Sequence, residues 1–490
     1  MFKVNYNTVL IFLTVLFNFF IFIAENTKCK GGIQANDPNA LTNAYLAVKN
    51  NGMSIRKASQ SFSVPYATWQ DRTRGNVSVD VVKSGTQPLF SLEDEAILAN
   101  HLKSMAEVGY GYSRQDTMNL ASDYAVHLNL RTSSQKPLTD RWLYSFLSRW
   151  PELKLKKPRA LEVARAKSAT RQAVDNYFVE LGSILDKYGL KDKPHLIYNI
   201  DEKGLSTDHK PPKVVAGTFS QTQAITSGRS KLTTLIGAVN AVGQQVPPYF
   251  VFPGVRMMGS LLDGASPGAD GTVSATGWSN SEIFSAFMKD HLIKFLPSRD
   301  PDNPVLVLYD GHKSHVPISL IEWAKSEHII LFVLPPHCSH LLQPLDVSCF
   351  GPLEVAWNSA CHRYLRDSGG CIVTRHEVCR IACQVYAATI SAQNITASFR
   401  KCGIYPYDPT VVPDSMVAPS TTFVTRDNSC QEPHISSSSA FLKERENNIF
   451  KNKDTVKKPR NTLSKVIGGK AVTEDNILEK NQNPRTKSNL

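Results

Sequence analysis

The chain has 490 residues, 42% of them hydrophobic and 20% charged, which excludes a wholly disordered chain and allows two or three domains. Its net charge of +12 suits a polyanion partner, DNA or RNA first and an anionic membrane surface second. Nine cysteines form no CxxC pair and eight lie beyond residue 337, which fits neither a disulfide framework nor a zinc knuckle.

Residues 1–35 hold an apolar run, "TVLIFLTVLFNFFIFIA" at 8–24, behind a short segment carrying Lys3. By pattern this is a signal peptide or a short membrane anchor. Nothing downstream looks extracellular, so the preferred reading is a non-native extension from a mispredicted start.

Residues 36–78 read as three short helices. "MSIRKASQSF" opens with Ser54 as N-cap and places Ile55, Ala58 and Phe62 on one face. "SVP" then breaks the chain, with Pro65 in the first turn of the next helix, "YATWQDRTRG". Two helices across a three-residue turn make a helix-turn-helix. The first carries Arg56 and Lys57; the second would offer Tyr66, Thr68, Gln70, Arg72 and Arg74 to a groove and its phosphates. An ordinary helical hairpin has the same spacing.

Residues 85–155 are again helical. Ser91, Ser113 and Thr139 stand as caps before three amphipathic runs. Trp142, Phe146 and Trp150 recur at i, i+4 and i+8, a core stripe rather than a base-stacking platform. From Arg131 to Arg171 eleven Lys or Arg face three acids. Arg141, Arg149, Lys154, Lys156, Lys157 and Arg159 are its candidate phosphate contacts, against the plainer reading of a solvated helix face. Residues 156–190 form a basic linker and a helix.

From 191 to 411 the pattern changes. "HLIYNID" is a short strand, "KLTTLIGAVNAVGQQVPPYFVF" two strands around a Gly turn, and "VLVLYD" and "IILFVLP" buried strands. "SNSEIFSAFMKDHLIKFLP", "ISLIEWAKSEH" and "DVSCFGPLEVAWNSACHRYL" are helices. Strands that pair first and then alternate with helices make an α/β layer fold. Residues 412–490 are polar and basic and read as a disordered tail.

Three aspartates hold similar places. Asp201 ends "LIYNID", Asp310 ends "VLVLYD", and Asp346 opens the long helix. Strand ends in an open α/β sheet face the crevice where ligands bind. Neighbouring carboxylates repel unless a cation sits between them, and a hard divalent ion, Mg²⁺ or Mn²⁺, is the natural partner. Taken singly, Asp310 before Gly311 is a common turn pair and Asp346 a helix N-cap. His312, His315, His337 and His340, with Cys338, offer a zinc alternative. Neither histidine pair lies in an HExxH pattern, so these residues are read as lining the carboxylate site, with Glu202 and Gln343.

"NIDEKGL", "YDGHKSH", "LPPHCSHLLQPLDVSCFGPLE" and "SFRKCGIYPYDP" resemble the DDE-type domain of pogo and Tigger transposases, in the mariner superfamily. Residues 53–75 are similar to their pipsqueak-type helix-turn-helix, and 85–155 to their CENP-B-type DNA-binding domain. The resemblance implies an RNase H-like catalytic domain over 191–411. It implies Mg²⁺-dependent cleavage of transposon ends and strand transfer, with Asp201, Asp310 and Asp346 as the catalytic, metal-binding acids and 35 residues between the last two. It further implies double-stranded DNA as partner, a nucleus-directed protein, compatibility with a homodimer, and neither a small-molecule substrate nor a membrane. The alternative is a domesticated, catalytically silent DNA-binding or chromatin protein.

Overall fold

The computed structural model describes residues 47–48, 52–64, 66, 70, 74, 88–228, 231–311, 317–423, 437–451 and 467–473. They fall into two units, 1–89 and 90–490.

In the first unit, helix α1 (Ile55–Ser61) starts after Ser54, whose backbone is extended and whose hydroxyl accepts a hydrogen bond from the Lys57 N–H at 3.4 Å. Ala58 and Val64 are buried, with Met53, Ile55 and Phe62 packed against them. The turn after α1 passes through Ser63 at φ 54° and is tied by the Ser59 hydroxyl donating to the Val64 carbonyl at 2.6 Å. The expected apolar face of "MSIRKASQSF" is therefore the face that packs.

The second unit opens with three helices, α2 (Leu92–Glu107), α3 (Arg114–His127) and α4 (Asp140–Arg149). Ser91 caps α2, and Glu93, Asp94 and Glu95 sit in its first turn, where the helix dipole favours acids. Ser113 and Asp116 form a reciprocal capping box on α3. Thr139, expected to cap α4, makes no side-chain cap bond. Phe146 is fully buried and stacks on Trp142 at 5.3 Å, so this aromatic pair belongs to the core.

After α5 (Val163–Ser168) and α6 (Arg171–Lys187) comes a seven-stranded mixed sheet, ordered β4-β3-β2-β1-β5-β6-β7. The strands are β1 (Ile197–Ser206), β2 (Leu232–Asn240), β3 (Tyr249–Pro253), β4 (Asp270–Ser274), β5 (Val305–Asp310), β6 (Ile329–Leu334) and β7 (Lys470–Ala471). β1, β2 and β3 pair antiparallel, while β5 and β6 run parallel to β1. That order is the RNase H-like core, with β4 added at one edge and β7 at the other. β5 and β6 are interior and almost wholly buried, which is why their apolar runs show no alternation. The flanking helices include α7 (Ser281–Ala286), α8 (Ile318–Ser326), α9 (Ser339–Leu342), α10 (Phe350–Asp367), α11 (Arg375–Thr389) and α12 (Ala392–Lys401). α7 continues as a π-turn at Phe287–His291 and a 3₁₀ turn at Leu292–Phe295, where one regular helix was expected.

Within 412–490, read from composition as a disordered tail, the described residues include ordered pieces. β7 pairs antiparallel with β6. Helix α13 (Ser437–Lys451) packs on α2 and α3. Its Phe441 stacks on Tyr124 at 6.0 Å and His127 at 4.9 Å, Arg445 pairs with Asp123 at 2.8 Å, and Leu442 is buried. Leu442→Ala is expected to cost about 2–4 kcal/mol, as large-to-small core changes do. Limited proteolysis would show it as faster cleavage within 437–451; an unchanged cleavage rate would mean that α13 is not held by this contact.

Candidate active site

Asp201 does not end its strand. β1 runs on to Ser206, paired with β2 throughout, but its parallel pairing with β5 stops at Ile200 opposite Tyr309. Asp201 and Asp310 are the next residues on these two neighbouring strands. Sequence periodicity misses this because β1 is edged differently on its two sides: one partner stops and the other continues.

Gly311 follows Asp310 for a reason of space. A Cβ there would lie 2.3 Å from Val333 Cγ1 on β6, a distance no side chain tolerates. The chain leaves β5 against β6, and glycine permits the approach. His312 and His315 lie outside the described residues.

Asp346 sits in a π-turn, Leu345–Cys349, that leads into α10, so it is not an N-cap. Two side-chain contacts fix this turn to β1. The Leu345 N–H donates to Asn199 Oδ1 at 3.0 Å, and Gln343 Nε2 donates to the Ile200 carbonyl at 3.4 Å. Asn199 also donates from Nδ2 to the Leu308 carbonyl on β5 at 3.0 Å. Asn199 was not among the residues singled out by pattern, although an Asn inside an apolar strand has to find partners when buried.

The Asp201 carboxyl senses the other two. Burial, then the charge of Asp346 and that of Asp310, hold the Asp201 carboxyl well above the usual carboxylate range. Its Oδ1 accepts from the Glu202 N–H at 2.8 Å, while Oδ2 is shielded from solvent without a hydrogen-bond partner. Gln343, fully buried, leaves its Oε1 equally unsatisfied. Asp346 is exposed. Among the described residues no three His, Cys, Asp or Glu side chains close on one point. The arrangement still suits a hard cation: the unsatisfied atoms are acceptor oxygens, and like charges gather around them. A soft or borderline ion finds less here. Burial and the charge of Asp310 push the Cys338 thiol up to about 12, so it stays protonated at neutral pH. His337 is exposed at φ 62°, and His340 is half-buried, held neutral to lower pH first by burial and then by Arg165.

Arg165, on α5, brings the basic segment to this site. The same helix end is joined to the turn after β6 by the Cys338 thiol donating to the Ser168 carbonyl at 3.8 Å. Lys154, Lys156, Lys157 and Arg159 are exposed along an extended segment without helix or strand, and Arg141 is exposed on α4. Arg149 is a correction. Its guanidinium is bound to the buried Glu95, so it serves the core of the helical domain rather than offering a free cation. In the first unit Arg56, Lys57, Tyr66 and Arg74 are exposed and Gln70 is half-buried; Thr68 and Arg72 lie outside the described residues.

Comparison with known proteins adds to this geometry. Residues 229–375 match the DDE superfamily endonuclease family, a span that includes Asp310 and Asp346 and begins after Asp201. Residues 37–80 match the helix-turn-helix, Psq domain. A 236-residue stretch is 30% identical to "MFS-type transporter clz9" of Cochliobolus lunatus, covering 46% of this chain and 25% of that protein. A 157-residue stretch is 29% identical to "Chaetoglobosin A biosynthesis cluster protein C" of Chaetomium globosum, covering 32% and 36%. The chain thus spans between a quarter and about a third of the length of these curated relatives. No helix among the described residues is long and apolar enough to cross a membrane. Similar solved structures include the Mos1 strand transfer complex, 14% identical over 77% of this chain and 99% of that one, with a TM-score of 0.38. The Mos1 mariner paired end complexes with Mg (13% identical, 77% and 99% covered) and with Mn (14%, 76% and 98%) have the same TM-score of 0.38.

The chain thus combines a match to the helix-turn-helix, Psq domain with a later match to the DDE superfamily endonuclease family, the second lying on the mixed sheet.

Proposed function

We propose that this protein binds double-stranded DNA at the terminal repeats of a transposon, hydrolyses a phosphodiester there with Mg²⁺ or Mn²⁺, and joins the freed 3′ end to new DNA. The observation that carries this reading is the grouping of Asp201, Asp310 and Asp346 around buried, unsatisfied acceptor oxygens. These three aspartates would hold the divalent ions, with Gln343 Oε1 beside them. Bound there, such ions lower the pKa of an attacking water or hydroxyl and stabilise the leaving oxygen. The chain's own residues place and hold the DNA. Lys154, Lys156, Lys157 and Arg159 lie along phosphates, and Arg165 brings positive charge to the carboxylate cleft. In the first unit Arg56, Lys57, Tyr66, Thr68, Gln70, Arg72 and Arg74 contact one groove and its backbone. The place of action is the nucleus, and a homodimer would engage two ends at once.

The test is cleavage of a duplex carrying the element's own terminal repeats. The unmodified chain should cut it with Mg²⁺ and not with EDTA. Asp310→Ala should lower the rate by more than the roughly 100-fold that changes outside a metal's direct ligands cause. Binding of those repeats without any cutting would leave a silent DNA-binding protein. Equal cutting by Asp310→Ala would remove Asp310 from the site.

A further inference from the structure

We propose that Asn199 is the positioning residue of this site, a single side chain that sets all three acid-bearing elements in register. The proposal rests on the reading of Asp201, Asp310 and Asp346 as the ion-holding carboxylates. Asn199 lies in β1 two residues before Asp201, so both side chains leave the strand on the same face. It is fully buried. Its Nδ2 donates to the carbonyl of Leu308, two residues before Asp310, and its Oδ1 accepts from the N–H of Leu345, the residue just before Asp346.

The second bond answers a specific need. Leu345 opens the π-turn, and the first N–H groups of a helical segment have no partner within it. A cap would ordinarily come from the preceding side chain, but here that residue is Pro344, whose ring offers no hydrogen-bonding group, and no local side chain caps the turn. Asn199 supplies the missing acceptor from the neighbouring strand. The start of the Asp346 turn is thereby tied to the strand that carries Asp201, while the other end of the same carboxamide grips the strand that carries Asp310. Gln343 adds a second tie to β1 through the Ile200 carbonyl. A rigid amide between two backbones fixes their spacing in a way that apolar packing, which is non-directional, does not. Ion sites respond to such outer contacts: losing one typically weakens metal affinity or activity about 10- to 100-fold.

The experiment measures Mn²⁺ binding to the full-length chain by electron paramagnetic resonance and calorimetry, beside thermal melting and affinity for duplex DNA. Asn199→Ala, Asn199→Ser and Asp346→Ala are compared with the unmodified chain. The expected result is Mn²⁺ affinity lowered about 10- to 100-fold in Asn199→Ala, with DNA affinity within about twofold and a cooperative melt retained. Asn199→Ser, which keeps a short hydroxyl acceptor, should fall between the two. Cleavage by Asn199→Ala should recover as Mn²⁺ is raised, which a general loss of fold would not allow. Unchanged Mn²⁺ affinity in Asn199→Ala, with affinity lost in Asp346→Ala, overturns the proposal and leaves the carboxylate reading standing. Unfolding of both Asn199 variants also overturns it, since the residue would then serve the fold alone. Mn²⁺ affinity unaffected by Asp346→Ala overturns the carboxylate reading, and the proposal with it.

Discussion

Asp201→Asn is expected to make the ion-free protein more stable while removing its stabilisation by Mg²⁺. The Asp201 carboxyl is raised well above its ordinary 3.8, first by burial and then by the charges of Asp346 and Asp310. The sign follows from linkage. Below the unfolded value the carboxyl is protonated in both states and costs nothing. As pH rises from about 3.8 the unfolded chain releases the proton while the folded one keeps it, so stability falls until the folded value is passed. Asparagine carries no charge and keeps an oxygen for the Glu202 N–H, so the variant loses this slope. Each kcal/mol recovered corresponds to about 2–4 °C in Tm for a domain of 150–250 residues. Melts in EDTA should therefore coincide near pH 4 and diverge at higher pH, the variant melting higher. With Mg²⁺ at a hundredfold excess over its Kd, the unmodified chain should gain roughly 2.7 kcal/mol and the variant much less. Parallel melting curves across the whole pH range would show that Asp201 is not held among like charges. An acid kept where it destabilises the fold is the usual sign of a site selected for chemistry rather than for stability.

Much of this architecture is legible in the chain, and the exceptions share a cause. β5 and β6 stand out because buried parallel strands need continuous apolar residues, and α2 and α3 because Ser91 and Ser113 cap them with their own side chains. Asp310 and Asp346 are visible as acids beside such elements. What stays hidden depends on partners far away in sequence. β1 looks finished at Asp201 because the apolar run ends there, yet pairing with β2 carries it to Ser206. Gly311 looks like a turn residue, but the constraint comes from Val333 across the sheet. β7, two residues long, has no periodicity to read, and α13 is masked by polar composition until its Leu442 and Phe441 find α2 and α3. Asn199 gave a usable signal, a polar residue within an apolar strand; its partners at 308 and 345 did not.

Arg149→Ala should unsettle the helical domain and leave the salt dependence of DNA binding unchanged. Sequence position puts Arg149 in the basic block, but Glu95, 54 residues earlier, is only 2% exposed and takes two of its three guanidinium bonds, at 2.9 and 2.5 Å, the third going to the Ser145 hydroxyl at 2.8 Å. The Trp150 indole N–H also donates to Glu95 Oε2, at 3.1 Å. Removing the arginine leaves a carboxylate shut away from water with one neutral donor. Breaking a buried pair in this manner costs about 3–5 kcal/mol. The 29% exposure of the Arg149 side chain admits some water and favours the lower end, about 3 kcal/mol. Arg149→Ala with Glu95→Leu should recover most of that loss, because the penalty is the stranded charge rather than the missing attraction. Phosphate contacts behave differently. Neutralising one, as Lys157→Ala would, lowers the slope of log affinity against log salt by about 0.9 and leaves stability alone. Urea unfolding and salt-titrated DNA binding on the three variants separate the two roles. A reduced salt slope in Arg149→Ala without loss of stability would return Arg149 to the DNA-contacting surface.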